Sequence, residues 1–228
     1  MRAEPAIDTR LRPFEAARAV RRLFESPGDT RQIFIIFRAM RGRSGLRAFR
    51  RFAASATGAA VLRERRCLLT VLQNRAALAE LAPGTVGRAY LDFMDEEKLS
   101  AEGLVQASES WEADAVPPDL GLYRERMRDS HDLTHVLTGY GRDRLGEMCL
   151  LAFMYAHTRN LGMAMIVGMG WPRLPPVARR AVTEAWRHGR KARWLPEQDF
   201  EALLSRPLEA VRRDLAIAEP SRYWAIAA

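Results

Sequence analysis

Two histidines and two acids lie close together along one short stretch of the sequence. His131 and His135 belong to the segment HDLTH, which also contains Asp132, and Glu147 follows twelve residues after His135. Residues four apart on an α-helix lie about 40° apart around its axis, so both imidazoles point to one side and can share a metal ion. Two imidazoles and carboxylates suit a divalent metal, and the same ligand set also fits iron. The pattern predicts a metal site that also carries the catalytic chemistry, formed by these four residues.

The segment between the histidines and Glu147 favours a helical hairpin. It reads GYGRDRLG, and Gly139 and Gly141 allow the chain to reverse direction. A helix that returns after this turn brings Glu147 beside the imidazoles. A bare HxxxH pair would be as well explained by two exposed side chains. Asp132 has its own alternative, an ordinary ion pair with Arg128 four residues earlier.

Apolar residues recur at the three- and four-residue spacing of α-helices along almost the whole chain, and strand alternation is nearly absent. Turns rich in Pro and Gly separate these segments, and no repeat or low-complexity linker divides the chain. We predict helices beginning near Phe14 and Asp29, and further helices at 46–54, 60–81, 85–96, 99–113, 120–138, 145–168, 177–191, 197–204 and 208–218. The fold class predicted is all-α, a single-domain helical bundle of about ten helices joined by short Pro/Gly turns.

The composition is that of a globular protein with an excess of positive charge. Apolar residues make up 48% of the 228 residues, which excludes a disordered chain. The 36 basic residues exceed the 28 acidic ones, giving a formal net charge of +8, and nearly all of the basic residues are arginines. This excess favours an anionic partner. We expect no nucleic acid as that partner, because no binding motif is present and the charge is spread over many helices.

The sequence gives no sign of export or of a membrane span. Its two cysteines are too few for a disulfide framework, which favours a reducing compartment. Its beginning lacks an apolar run, and Glu4 and Asp8 argue against a mitochondrial presequence, so we expect the mature chain to begin at or near Met1. HTRN interrupts the apolar stretch 148–171, so we predict no transmembrane helix.

One segment is both basic and amphipathic. It spans residues 38–52, RAMRGRSGLRAFRRF, and combines six arginines with Leu46, Phe49 and Phe52. Each basic residue near anionic lipid adds about 1 kcal/mol of attraction. The segment favours contact with an anionic membrane surface, and the alternative is the solvated face of an arginine-rich protein.

The residues of the predicted metal site resemble a known family. SHDLTHVLTGYGRDRLGE is similar to the signature of the ubiquinone (coenzyme Q) biosynthesis family called Coq-four, in which HDxxH is followed by eleven residues and a glutamate. GRAYLDFMDEEKLSAEGLV, PPDLGLYRERMRDSHD and HGRKARWLPEQDFEALLSRPLEAVRRDL also resemble that family, so the resemblance covers residues 49–215. We therefore expect residues 30–228 to form one all-α domain of this family, after a variable N-terminal helical segment at 1–29.

The resemblance implies a membrane-peripheral protein of ubiquinone biosynthesis whose four signature residues are zinc ligands. The family is associated with removing the C1 carboxyl from a polyprenylated hydroxybenzoate precursor, with or without hydroxylation at that carbon. It has also been regarded as a non-catalytic lipid-binding scaffold that organises the biosynthetic complex. We expect a homo-oligomer that works with other ubiquinone biosynthesis proteins. We place it in the bacterial cytoplasm, peripheral on the inner face of the cytoplasmic membrane.

Substrate-binding candidates follow from the chemistry of such a substrate. On one continuous helix, Arg128 shares an arc with the histidines and Arg124 lies one turn earlier, so both are candidates to bind the carboxylate. An isoprenoid tail needs an adaptable apolar surface, and a Met-rich stretch follows Glu147. The candidates for tail binding are Leu151, Met154, Met163 and Met165, and the alternative is that they belong to the core.

Two other histidine-based activities fit the sequence poorly. An HD-type phosphohydrolase requires a histidine upstream of its HD pair, and no histidine precedes His131. A zinc protease with the HExxH motif uses a glutamate as its base, and Asp132 is one methylene shorter.

Overall fold

Fourteen α-helices make up the part of the chain that the structure describes, and no strand occurs there. The structure is a computed structural model that describes residues 9–26, 28–29, 31–102, 105 and 116–225. It confirms the predicted all-α, single-domain fold. The helices are α1 Pro13–Glu25, α2 Arg31–Ala39, α3 Ser44–Ala54, α4 Ala56–Glu64, α5 Leu68–Gln73, α6 Arg75–Ala79, α7 Val86–Glu96, α8 Pro118–Asp129, α9 His131–Thr138, α10 Arg144–Thr158, α11 Leu161–Gly170, α12 Pro176–Lys191, α13 Phe200–Leu203 and α14 Leu208–Asp214.

Most helices pack around one large apolar cluster. α10 and α12 lie so close together that a Cβ on Gly189 would be 2.4 Å from the carbonyl oxygen of Phe153. α1, α2 and α11 pack on one another at another side of this cluster. Ala16 and Val20 of α1 are fully buried in it, so the described part of the N-terminal segment contributes to the same core. The domain boundary at residue 29 stays a prediction.

A smaller apolar cluster lies beside the large one. Its members are Ala48, Phe52, Val61, Leu120, Leu122, Tyr123 and Trp194. The indole nitrogen of Trp194 donates a hydrogen bond of 2.9 Å to the carbonyl oxygen of His157 on α10. The guanidinium carbon of Arg51 on α3 lies 4.0 Å from the centre of the same indole ring. Trp194 therefore connects the two clusters.

Two long predicted helices are divided in the structure. The predicted helix 60–81 is three helices, because Arg65 adopts a left-handed backbone with φ 52° and Asn74 caps a new helix with its side chain. The predicted helix 145–168 is divided at Arg159, which has φ 53°. A left-handed residue ends a right-handed helix. Among the described helices, none combines the length and the apolar character that crossing a bilayer requires.

Two further differences concern the region before and within the predicted metal site. The predicted helix 99–113 falls mostly on residues 103–104 and 106–115, which lie outside the described residues. The predicted helix 120–138 is divided into α8 and α9 at Ser130, whose ψ is 1°. The residues of α8 therefore do not continue the helical face on which the histidines lie.

Candidate metal centre

The two histidines lie side by side on α9, as their spacing predicted. The Nε2 atoms of His131 and His135 are 3.2 Å apart. Their rings meet edge to face, with centroids 4.8 Å apart. The side chain of His135 is fully buried, whereas that of His131 is 32% exposed. The pair is therefore reachable from solvent on the His131 side.

Two contacts fix the ring of His135. Its Nδ1 lies 2.8 Å from the backbone carbonyl oxygen of Tyr140. A carbonyl oxygen only accepts, so Nδ1 donates its proton to Tyr140 and Nε2 faces the other candidate ligands. The ring of Phe93 on α7 stacks on the imidazole, with centroids 5.7 Å apart and planes at 20°. The imidazole is therefore oriented as metal-binding histidines usually are, with the second nitrogen donating to a fixed acceptor.

The hairpin brings Glu147 to the histidines. α9 ends at Gly139, whose φ of 74° reverses the chain, and α10 begins after Asp143, whose side chain caps its first turn. Glu147 lies on that first turn. Its carboxylate oxygens are 3.5 Å from Nε2 of His135 and 3.9 Å from Nε2 of His131.

Asp132 completes a compact group of donors. One donor atom from each of His131, Asp132 and His135 lies within 4.8 Å of the others. A tetrahedral ion with ligand bonds of about 2.1 Å separates its ligands by about 3.4 Å. The 3.2 Å between the two Nε2 atoms and the 3.5 Å from Nε2 of His135 to Glu147 match that separation, whereas 4.8 Å is longer than one such ion spans. Asp132 is buried, and a buried carboxylate needs a cation or hydrogen-bond donors. The donor set therefore fits a divalent metal, and the role of each residue as a ligand stays a prediction.

The charges around this group favour the metal-binding protonation states of Glu147 and His131, whereas they favour the protonated form of His135. Burial raises the pKa of Glu147, but the hydrogen bond with His135 and the charges of His131 and Arg142 outweigh it and leave the pKa lowered. Burial lowers the pKa of His131 more than the charge of Glu147 raises it. For His135, burial is outweighed by Glu147 and the Tyr140 carbonyl, so its pKa is raised. The group therefore offers a carboxylate and a neutral imidazole at His131, the forms that bind metal.

The predicted carboxylate-binding arginines lie on α8, across the break at Ser130. The Nε of Arg128 donates to Asp129 at 2.8 Å, and both side chains are buried. Arg124 is half-buried. Substrate binding by Arg124 and Arg128 stays a prediction, and for Arg128 it would require the buried pair to rearrange.

Arg142 is a candidate that the sequence reasoning missed. It lies in the turn between α9 and α10, and its charge lowers the pKa values of His131 and Glu147. Its guanidinium has no hydrogen bond or ion pair with any residue in the described part of the chain, and its Nε is buried. A cation in the turn between the predicted ligands of the two helices was the signal available in the sequence.

The predicted tail-binding residues lie along α10 and α11. Leu151, Met154 and Met165 are half-buried and pack against the large apolar cluster. The sulfur of Met163 accepts a hydrogen bond of 3.4 Å from the hydroxyl of Thr158. Each of the four side chains is part exposed and part packed, so both the tail-binding prediction and the core alternative stand.

Comparison with known proteins points to one family. The sequence model described as Coenzyme Q (ubiquinone) biosynthesis protein Coq4 matches residues 41–221. The ubiquinone biosynthesis protein coq4, mitochondrial, of Botryotinia fuckeliana is 30% identical over 174 residues, which cover 73% of this chain and 59% of that protein. The COQ4 homolog, mitochondrial, of Bos taurus is 28% identical over 169 residues, which cover 72% and 62%. The chain thus spans about three fifths of the length of these relatives.

A solved structure shares the fold. The crystal structure of a proposed ubiquinone biosynthesis protein from Nostoc punctiforme superimposes with a TM-score of 0.66, covering 92% of this chain and 100% of that one. The two sequences are 20% identical, so the likeness concerns the fold alone.

Proposed function

Because the chain belongs to the coenzyme Q (ubiquinone) biosynthesis protein Coq4 family, we propose that it is a metal-dependent enzyme acting on a polyprenylated hydroxybenzoate precursor. The proposed reaction removes the C1 carboxyl, with or without hydroxylation at that carbon. The observation that carries the proposal is the convergence of Glu147 on the Nε2 atoms of His131 and His135. Participation in ubiquinone biosynthesis follows from the family, whereas the reaction and the metal are parts of the proposal.

The metal would be held by His131, Asp132, His135 and Glu147, with zinc as the first candidate and iron as the second. When bound, it supplies a Lewis acid for the negative charge that develops on the ring as carbon dioxide leaves. The chain's own residues orient and shield the site. Tyr140 and Phe93 hold the imidazole of His135 in one orientation. The side chain of His131 is partly exposed, so a substrate would enter the site from the His131 side.

Arg142 is the residue best placed to bind the substrate carboxylate. A guanidinium binds a carboxylate through two parallel hydrogen bonds, and it does so most readily when no other acceptor occupies it. Arg142 meets that condition among the described residues, and it is close enough to His131 and Glu147 for its charge to lower their pKa values. Arg124 and Arg128 remain the alternatives from the neighbouring helix.

We place the protein at the inner face of a bacterial cytoplasmic membrane, where such a lipid substrate resides. The basic segment 38–52 supports this location, because Arg43, Arg47 and Arg50 are exposed and have no ion pair with the described residues. These arginines line a cavity of about 390 Å³. Phe14 on α1 is 81% exposed and offers an apolar contact. Exposed arginines and an exposed aromatic ring are typical of a surface that binds anionic lipid.

The alternative function is a non-catalytic lipid-binding scaffold that organises the ubiquinone biosynthetic complex. The observation that favours it is the set of half-exposed apolar side chains on α10 and α11, which could bind an isoprenoid tail without any metal. Both functions include other ubiquinone biosynthesis proteins as partners and a homo-oligomeric assembly.

Metal analysis of the purified protein, combined with complementation of a quinone-deficient strain, separates the two functions. We expect the wild type to contain about one divalent ion per chain and to restore quinone synthesis, and His135→Ala to do neither. His188→Ala is the control, because it removes a histidine of α12 that lies outside the site. Full rescue by His135→Ala would favour the scaffold.

A further inference from the structure

A tyrosine far along the chain contacts the turn of the metal centre. We propose that Tyr223 is a positioning residue, whose hydroxyl holds the turn 139–143 so that Glu147 faces His131 and His135. The expected effect on metal binding rests on the proposed function, whereas the contacts that support the positioning role are all made within the protein.

The hydroxyl of Tyr223 connects the middle of the turn with its last residue. It accepts a hydrogen bond of 2.9 Å from the backbone N–H of Gly141 and donates to the carboxylate of Asp143. The other oxygen of that carboxylate accepts from the backbone N–H groups of Leu145 and Gly146, at 3.0 and 3.3 Å. One hydroxyl therefore connects the turn to the cap of the helix that carries Glu147.

The same tyrosine also contacts the residue that orients His135. The ring of Tyr223 meets the ring of Tyr140 edge to face, with centroids 5.5 Å apart. The carbonyl oxygen of Tyr140 is the acceptor for Nδ1 of His135. Tyr223 thus lies against both halves of the metal centre, the histidine half through Tyr140 and the glutamate half through Asp143.

The turn packs closely on the first turn of α10, so a shift of one moves the other. A Cβ on Gly146 would be 2.0 Å from the carbonyl oxygen of Gly141, and a Cβ on Gly141 would be 2.6 Å from the hydroxyl of Tyr223. Gly141 therefore lies between the hydroxyl of Tyr223 and the first turn of α10. A shift of Gly141 displaces the beginning of the helix on which Glu147 lies.

The chain before Tyr223 is itself fixed at two points. The hydroxyl of Ser221 and the backbone N–H of Arg222 both donate to the carboxylate of Glu184 on α12. Upstream, the guanidinium of Arg212 donates to carbonyl oxygens of Val136 and the next residue, at 3.0 and 3.1 Å, at the end of α9. Because these contacts need no metal, the hydroxyl of Tyr223 is in position before an ion binds.

The test compares Tyr223→Phe with Tyr155→Phe, which removes the same atom from a tyrosine near the far end of α10. In metal-free protein, we expect amide hydrogen exchange within 139–147 to become faster in Tyr223→Phe and to stay unchanged in Tyr155→Phe. Loss of a group that supports a metal ligand typically weakens metal binding by about 10- to 100-fold. We therefore expect a weaker Co²⁺ affinity of that size, with an altered visible spectrum of the bound Co²⁺, in Tyr223→Phe alone.

Each outcome decides the proposal. Unchanged exchange at 139–147 in Tyr223→Phe would overturn it, and so would faster exchange over the whole chain, because the residue would then be merely structural. If the wild type binds no Co²⁺ but the local exchange difference is present, the positioning role holds and the metal centre of the proposed function fails. If the wild type binds Co²⁺ and Tyr223→Phe matches its affinity and spectrum, the positioning role is overturned and the metal centre stands.

Discussion

The Nδ1 of His135 lies 2.8 Å from the carbonyl oxygen of Tyr140, a residue of the turn that leads to Glu147. Because of this contact, the turn that delivers the carboxylate also sets the orientation of the imidazole. The two parts of the proposed metal centre therefore depend on a single short segment of backbone, and variants in that segment should affect both.

His135→Asn separates metal binding from this structural contact. An asparagine amide can still donate toward Tyr140 but places no ligand atom where Nε2 lies. We expect both His135→Asn and His135→Ala to lose the metal, and His135→Asn to keep more stability, by about 1 kcal/mol, the usual worth of one hydrogen bond. Metal content and thermal unfolding measure the two effects. Full metal content in His135→Asn would contradict ligation through Nε2.

Gly146→Ala tests whether the close approach within the turn is required. The added methyl would lie 2.0 Å from the carbonyl oxygen of Gly141. Overpacking of this kind destabilises by about 1–3 kcal/mol, and here it also moves Glu147. We expect a lower unfolding temperature together with weaker metal binding. The control is Gly168→Ala on α11, where a Cβ has nothing within 4 Å and helix propensity favours alanine. Equal unfolding temperatures and equal metal binding in Gly146→Ala and Gly168→Ala would contradict the argument that Gly146 is tightly packed.

Arg142→Gln and Arg128→Gln should separate substrate binding from stability. A charge-assisted hydrogen bond contributes about 1.5–3 kcal/mol, so we expect Arg142→Gln to weaken binding of a prenylated hydroxybenzoate at least tenfold without lowering the unfolding temperature. Arg128→Gln removes the buried partner of Asp129 and should destabilise the fold by up to about 3 kcal/mol. Equilibrium binding and thermal unfolding are the measurements. If Arg128→Gln were fully stable but bound the prenylated hydroxybenzoate weakly, Arg128 on α8 would be the residue that binds the carboxylate.

His157 should make the fold less stable in mild acid. Burial and the nearby charge of Arg51 lower the pKa of His157 to about 4, from about 6.5 in the unfolded chain. Below about pH 6.5 the unfolded chain binds a proton that the native state does not, so the free energy of unfolding falls as the pH drops toward 4. The slope from this group approaches 1.4 kcal/mol per pH unit within that interval.

His157→Asn tests this assignment. Its side-chain oxygen can still accept from the backbone N–H of Leu195, which lies 3.4 Å from Nδ1 of His157. Denaturant unfolding at several pH values should show a smaller loss of stability between pH 6.5 and 4 in the variant, a window set by the two pKa values of His157. An identical pH profile for the two proteins would show that His157 titrates normally.

Charge reduction on the basic segment tests the proposed membrane contact. The triple variant Arg43→Gln, Arg47→Gln, Arg50→Gln loses about 3 kcal/mol of attraction if each arginine contributes about 1 kcal/mol, so partition onto anionic vesicles should fall about a hundredfold. Vesicle sedimentation at two salt concentrations measures the effect. The charge-matched control replaces three exposed arginines of α12 and α14 by glutamine, namely Arg180, Arg187 and Arg213. Equal loss in both triple variants would mean that net charge matters and the segment does not.

The hairpin of the candidate metal centre could be predicted because its parts are close in sequence. The helical period places His131 and His135 on one face, and Gly139 supplies the positive φ that ends α9. Only local geometry is needed to bring Glu147 back. The break at Ser130 could not be predicted in the same way, because no glycine or proline marks it.

Tertiary contacts explain what the sequence pattern could not. Arg126, near the end of α8, is 1% exposed and donates to both carboxylate oxygens of Glu201, at 2.7 and 2.6 Å. A buried ion pair of this kind orients α8 independently of α9, and its partner lies 75 residues away in sequence. The bridge made by Tyr223 is equally distant from the turn that it contacts. Periodicity and spacing report local structure and carry no signal for such pairs.

The contacts of Trp194 should make the two apolar clusters unfold together. Its side chain belongs to the smaller apolar cluster, yet its indole N–H donates to His157 on α10, a helix that packs in the larger one. Loosening either cluster alone would leave that buried donor without an acceptor, a penalty of about 1–3 kcal/mol. Heat and denaturant should therefore disrupt both clusters in one cooperative transition, and the fluorescence of this indole should report it.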